Sequence, residues 1–395
     1  MSEKYLVICN AHPKEYDDYY IKLSGCDTTS SSAIYSNSVI RGLSLNNFDF
    51  DVISAASVGH YPFTSKTKKL KEIKYDNHFF GVGYNNNILI SQLSKTKSIV
   101  KKYKEIDNSG SQNGLNIIVT DVHYPFIKAA FKIKKKNKRI KIVLVCLDLP
   151  QYVKSSSKNP ILKILKMISV NRVNKLSKKV DGYVFLSKYM EEIYGSDKKS
   201  IVSPCILDTS IYDGIQKASK ETIDFVYCGV LSKQYNADFL LKAFSMLNSD
   251  NYRLILAGKG DVVEQIKEMS KSDKRINYLG EVSREKAYFL QKNADVLVNP
   301  RLSNSEYTKL SFPSKTVSYL YSGNPLVCYS LPSFPDGLKN VIIEPKDITP
   351  ESFAEAMEFA IDKTNLKQIE EALKFSEKNV IKQIDKLFSE IRKNG

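Results

Sequence analysis

Two rhythms of apolar and polar positions run along this chain. Short, nearly continuous apolar runs recur, and segments with apolar residues at helical spacing separate them. In the first half the runs are YLVIC (5–9), FDVIS (50–54), LNIIVT (115–120), KIVLVCLD (141–148) and GYVFLS (182–187). In the second they are FVYCG (225–229), YRLILAG (252–258), INYLG (276–280), DVLVN (295–299), PLVCYS (325–330) and NVIIE (340–344). Such runs predict strands covered on both faces, and segments such as NADFLLKAFSMLN (236–248) predict the crossover helices between them. The pattern is that of α/β architecture with one parallel sheet in each half. A polar, aperiodic stretch, Cys205–Asp224, predicts the link between halves, and residues 365–393 predict a terminal helix. Two doubly wound, Rossmann-like domains joined in this way imply that they face each other across a ligand-binding cleft.

The composition fits this reading. The 395 residues are 42% apolar and 26% charged, enough for two or three cores in an ordinary globular chain. No apolar stretch reaches the roughly 18 residues that span a bilayer. The first strand pattern begins at once, without a leader-like segment, so a cytoplasmic location is expected. Cys9, Cys26, Cys146, Cys205, Cys228 and Cys328 mostly lie inside apolar runs without close pairing. That predicts buried free thiols in a reducing compartment, and neither disulfides nor a zinc site.

Charge adds one feature. The net charge is +16, and residues 125–180 hold 16 Lys or Arg against the single acid Asp148, nearly the whole excess. Lys134, Lys135 and Lys136 lie in FKIKKKNKRIK (131–141). Lys163, Lys166 and Arg172 lie in NPILKILKMISVNRVNKLSKK (159–179), beside a stripe of Ile161, Leu162, Leu165, Ile168 and Val173. One reading is a helix on an anionic membrane surface; the other is an amphipathic helix packed on its sheet with solvated lysines. The two are compatible. Nucleic acid is not expected as a partner, because neither a recognised motif nor an aromatic stacking run accompanies the charge.

The chemistry-bearing residues of the second half sit at strand ends. Gly229 closes one strand, Gly258 and Gly260 follow another, and Arg301 follows a third. SFPSK (311–315) then opens a helix that Gly323 and Pro325 terminate. Carboxyl ends of parallel strands line one crevice, and the free amides of Ser314, Lys315 and Thr316 would point into it. With the cations Arg301 and Lys315 this predicts a diphosphate cradle. In the first half, His123 in TDVHYPF and Asp148 in CLDLP follow strands and are candidates on the acceptor side. His123 either orients an acceptor or takes its proton, or is a structural histidine beside a turn. His12 has the same status.

The order of these pieces resembles the GT-B glycosyltransferases, in particular the retaining, family 4-like kind that builds bacterial surface polysaccharides. FVYCGVLSKQYNADFLLKAF, LILAGKGD, INYLGEVSREKAYFLQKNADVLVNPR and EYTKLSFPSKTVSYLYSGNPLV carry the resemblance, with SNSVIRGL, CLDLP and DGYVFLSKYM in the first half. It implies an acceptor-binding domain over residues 1–205, a nucleotide-sugar-binding domain over 206–370, and a helix over 371–395 returning to the first. The implied reaction transfers a sugar from a UDP- or GDP-linked donor to a lipid-linked or growing glycan acceptor. Retention of configuration, no cofactor and no metal are implied as well, at the inner face of the membrane. Gly229, Lys233, Gly258, Gly260, Arg301, Ser314, Lys315, Thr316 and Ser318 would hold the donor, and Glu306 would lie near its sugar. The sequence also departs from the family pattern. Val230 and Tyr235 stand where cations are usual, and Ser318 stands where a glutamate usually meets the ribose. These departures support an alternative, a non-catalytic GT-B subunit that binds a glycan or protein partner.

Overall fold

The computed structural model describes residues 3–24, 30–107, 114–135, 137–147, 160–194, 197–303, 312–363 and 366–393, with backbone alone at 160–166. The chain forms two compact units, Met1–Ile206 with Glu377–Gly395 (unit 1) and Leu207–Ser376 (unit 2).

Unit 1 contains strands β1 (Lys4–Cys9), β2 (Phe50–Ser54), β3 (Ile73–Lys74), β4 (Phe79–Gly81), β5 (Leu115–Val119), β6 (Lys141–Cys146), β7 (Gly182–Phe185) and β8 (Lys199–Val202). They form one sheet in the order β3-β4-β2-β1-β5-β6-β7-β8, parallel except for the β3–β4 pair. Central strands are buried along almost their whole length, which is why they read as nearly continuous apolar runs. The short strands β3, β4 and β8 were not expected. Two to four residues at or near a sheet edge carry too little pattern to stand out.

Unit 2 contains β9 (Ile223–Cys228), β10 (Tyr252–Ala257), β11 (Ile276–Tyr278), β12 (Val296–Asn299) and β13 (Leu326–Cys328), all parallel, in the order β11-β10-β9-β12-β13. Residues 340–344, predicted as a strand, make only one bridge, Val327 to Ile343, beside the edge strand β13. The predicted linker is also more than a tether. Tyr212 in it is buried, and its hydroxyl donates to the Ser318 carbonyl at 2.7 Å.

The terminal helix is two helices, Leu366–Leu373 and Glu377–Lys393. The second buries Val380, Ile381, Ile384, Leu387, Phe388 and Ile391 in the core of unit 1, among Tyr5, Val39 and Leu43. Tyr5 donates to Asp385, and Arg392 reaches Asn116 and Glu3, so the last helix is pinned to β1 and β5 by polar contacts as well. Cys9, Cys146, Cys205, Cys228 and Cys328 are buried free thiols. Among the described residues no helix is long and apolar enough to cross a membrane.

Candidate functional site

In unit 2 the strand order reverses between β9 and β12, the place where an open parallel sheet holds its ligand. Gly229 follows β9, and Arg301 follows β12. The helix Lys315–Tyr321 is locked to this edge by Tyr319, whose buried hydroxyl accepts from the Cys228 amide at 2.9 Å and lies 3.2 Å from its carbonyl. That anchor brings the Lys315 ammonium over Gly229. A β-carbon placed on Gly229 would lie 2.7 Å from Lys315 Nζ and 2.9 Å from the Tyr227 hydroxyl. Desolvation there lowers the Lys315 pKa, with the Cys228 thiol opposing the shift. An anion bound at Gly229 would reverse it, since an opposite charge favours the ammonium.

Arg301 is held from below. Its guanidinium lies 5.1 Å from the centroid of the Tyr235 ring. Asn236, in the left-handed conformation, donates its side-chain amide to the Pro300 carbonyl at 3.1 Å and ties that turn to the end of β12. The tyrosine standing where a cation was expected is therefore the platform for one. Tyr227, whose hydroxyl donates to Val230, lies within electrostatic reach of Arg301 and beside Lys315. The structure brings Gly229, Arg301 and Lys315 to one edge.

Several expected donor contacts take a different form. A β-carbon on Gly258 would meet the Gly229 carbonyl oxygen at 1.7 Å, and one on Gly260 would meet that of Leu231 at 1.9 Å. Both glycines are thus required by the approach of two backbone segments to each other, whatever binds nearby. The Thr316 amide donates to Pro313 and its side chain is buried, so it offers no free amide to the crevice. Ser318 turns its hydroxyl onto the Lys315 carbonyl at 2.9 Å, within its own helix. Ser314 makes no capping hydrogen bond with its side chain. Lys233 is exposed, its amide bonded to Asp261. The helix has seven residues, so the positive potential at this edge comes chiefly from two side-chain cations. Glu306 and Asp148 lie outside the described residues.

Unit 1 has its own strand reversal, between β1 and β5. His12 follows β1; it is buried, its Nε2 lies 3.0 Å from Asp17, and its Nδ1 has no partner among the described residues. His123 precedes the helix Tyr124–Lys134 and packs against Phe126. Burial, then the charges of Lys95 and His60, hold its pKa down at about 3. So weak a base is suited to hydrogen bonding and poorly suited to removing a proton at neutral pH.

Lys95, on the helix Ser91–Ile106, is an unexpected residue here. It is 4% exposed, and its ammonium lies 4.6 Å above the Tyr84 ring. Burial takes its pKa from 10.5 down to about 8, with Asp121 opposing. The unfolded chain therefore binds more protons than the folded one between those values, and stability rises with pH across that window. Lys95→Met is expected to stabilise the protein at pH 7 by about 3 kcal/mol, the advantage shrinking towards pH 10. Thermal unfolding of both proteins across that range checks this; a gap independent of pH would count against it.

The basic face divides. Lys134 is bonded to both oxygens of Asp181 at 2.6 Å, so it neutralises a neighbour and is not a free surface cation. Lys135 and Arg172 are exposed. Lys163 and Lys166 lie on the helix Pro160–Ser177, in its part described by backbone alone, and Lys136 lies outside the described residues. Of the predicted apolar stripe, Val173 is buried, whereas Ile168 is 40% exposed beside Met167 at 60%.

Comparison with known proteins places this architecture in a class. Residues 222–363 match the family described as Glycosyl transferases group 1, a stretch that contains Gly229, Arg301 and Lys315. The whole chain has the fold of the GT-B glycosyltransferases. It is similar to a glycosyltransferase from Rickettsia africae (13% identity, TM-score 0.61, all of both chains covered). It is also similar to the lipopolysaccharide outer core galactosyltransferase WaaB (14%, TM-score 0.60, 98% of this chain and 99% of that one). Anabaena Alr3699/HepE, solved with UDP, is a third (12%, TM-score 0.57, 98% and 100%). No curated protein sequence matches the chain.

Proposed function

We propose that this protein is a glycosyltransferase that takes a sugar from a nucleoside diphosphate donor, with UDP or GDP as the nucleotide. Unit 2 holds the donor, with Lys315 and Arg301 on its diphosphate. The acceptor is a lipid-linked or growing glycan of bacterial surface polysaccharide synthesis, held by unit 1. Transfer proceeds with retention and without a metal, the two cations carrying the charge of the leaving diphosphate. The observation that carries this reading is the Lys315 ammonium seated over Gly229 at the β9–β12 reversal, inside the stretch that matches the group 1 family. UDP found on Alr3699/HepE agrees with such a donor. Calorimetry with UDP and GDP, followed by donor hydrolysis, tests it; absence of binding at millimolar nucleotide would end it.

One observation favours the alternative of a non-catalytic GT-B subunit. The Ser318 hydroxyl is already bonded within its helix, which leaves the expected ribose contact weak. Nucleotide binding without hydrolysis or transfer would select that reading.

The protein works peripherally on the inner face of the membrane. Exposed Met167 and Ile168 on a helix that also presents Arg172 supply apolar and cationic contacts together. Flotation with vesicles containing anionic lipid should recover the protein. The pair Lys135→Glu and Arg172→Glu should cut recovery at least tenfold, given about 1 kcal/mol per surface cation. Flotation indifferent to both lipid charge and these substitutions would remove the membrane from the picture.

A further inference from the structure

Lys95 is a buried cation without a counter-charge in contact. Among the described residues its ammonium has neither a hydrogen-bond acceptor nor an ion-pair partner, only the face of Tyr84. A buried charge without an ion-pair partner is costly, and the more distant Asp121 offsets only part of that cost. Here the surrounding fold holds it in place. The neighbouring Thr96 hydroxyl lies 3.4 Å from the Pro125 carbonyl, which brings this helix against the start of the helix that His123 precedes. Tyr84 is itself fixed by donating to the Ala56 carbonyl at 2.6 Å.

His60 comes from a third direction. It sits in a loop closed by its own amide on the Thr64 hydroxyl, 2.8 Å, and by the Thr64 amide on its carbonyl, 2.8 Å. Tyr61 then pairs with Asn86 and Ile88, so that loop runs alongside the segment leading into the Lys95 helix. The Thr96–Pro125 contact and the Tyr61 pairing set the segments of His60, Lys95 and His123 side by side, and the charge of Lys95 lowers the pKa of both histidines. His60 is exposed and marks the open side. Exposed apolar residues lie in this loop and just beyond the segment it pairs with: Phe63 is 57% exposed, Leu89 71%, Ile90 45% and Leu93 59%.

We propose that Lys95, His60 and His123 form a receptor for the phosphate group of the acceptor, with the apolar rim of Phe63, Leu89, Ile90 and Leu93 receiving an alkyl chain attached to it. The chemistry is complementary. An ammonium and two imidazole N–H donors suit an anion with several oxygens, and the anion supplies a counter-charge in contact with an ammonium on which Asp121 acts only from a distance. The inference rests on the reading that unit 1 binds the acceptor, and it names what the acceptor must carry.

With only four histidines in the chain, imidazole ¹⁵N spectra of the full-length protein read this site directly. Signals are assigned with His60→Gln and His123→Gln. Added geranyl phosphate should shift both His60 and His123 and leave His78, bonded to Asp51 elsewhere on the sheet, unmoved. Affinity should fall at least tenfold in Lys95→Met and severalfold in His60→Gln, an exposed position whose replacement leaves the core intact. A tenfold preference for geranyl phosphate over inorganic phosphate assigns the site to a lipid phosphate, and equal affinities assign it to a soluble one. Static His60 and His123 signals at millimolar phosphate, or unchanged affinity in both variants, would overturn the proposal. No donor is present, so an enzyme that fails to transfer sugar could still pass this test, and an active one could still fail it.

Discussion

Gly258→Ala is expected to abolish the folded state of unit 2. The new methyl carbon would stand 1.7 Å from the Gly229 carbonyl oxygen, a backbone atom that cannot swing aside as a side chain can. Residue 258 also has φ +142°, outside the range that residues with a β-carbon ordinarily adopt. Relief would require parting the loops after β9 and β10, where Gly229 donates to Ala257 and Leu231 donates to Lys259, each at 2.8 Å. A cost of about 4 kcal/mol or more is expected, at the extreme of single substitutions. Gly280→Ala is the control. Its φ is +72°, but nothing lies within 4 Å of the added atom, so only the left-handed strain of about 1 kcal/mol remains. Urea unfolding followed by circular dichroism should show Gly258→Ala missing one transition, and Gly280→Ala with all transitions slightly earlier. Equal midpoints for the two variants would show that the approach of these loops is not a fixed feature of the fold.

Nucleotide binding should respond most to Lys315 and Arg301. Each offers a charge-assisted contact of about 1.5–3 kcal/mol to a diphosphate, so Lys315→Met and Arg301→Met should each weaken UDP or GDP binding by about ten- to a hundredfold. Tyr235→Ala should cost only severalfold, because it removes the aromatic platform beneath Arg301 and leaves the charge. Gly229→Ala should mimic part of the Lys315 loss, since the added carbon would occupy the space 2.7 Å from the ammonium. Lys233→Ala should be close to neutral, its side chain being exposed and its amide contact retained. Calorimetry on variants with unchanged circular dichroism ranks these effects. A Lys233 variant that loses more than the Lys315 variant would relocate the diphosphate.

Much of this was legible without coordinates, for a physical reason. Strands buried on both faces must be largely apolar, and β1, β2, β5, β6, β9, β10 and β12 announce themselves in that way, with single polar residues such as Asp51 and Asn116 inside them. The edge strands β3 and β8 do not, because one exposed side relaxes the requirement. Gly229 and Arg301 were legible through their positions at strand ends, and Lys315 through its place at the opening of a helix. The roles of Gly258 and Gly260 were not, because a glycine demanded by a ligand and one demanded by a neighbouring carbonyl look alike in sequence. Lys134 read as surface charge because its partner, Asp181, is far along the chain and close only in space.

The sequence by itself determined the class of fold, the alternation of parallel strands and helices in two halves, and the cations that end beside the β9–β12 reversal. These depend on local period and on the chain order of strand ends, both written in one dimension. Tertiary structure alone decided that Tyr235 supports Arg301, that Tyr319 delivers Lys315 to Gly229, and that Lys95 lies buried over the Tyr84 ring. Each is a meeting of residues separated in the chain, set by how side chains pack once the sheets have formed.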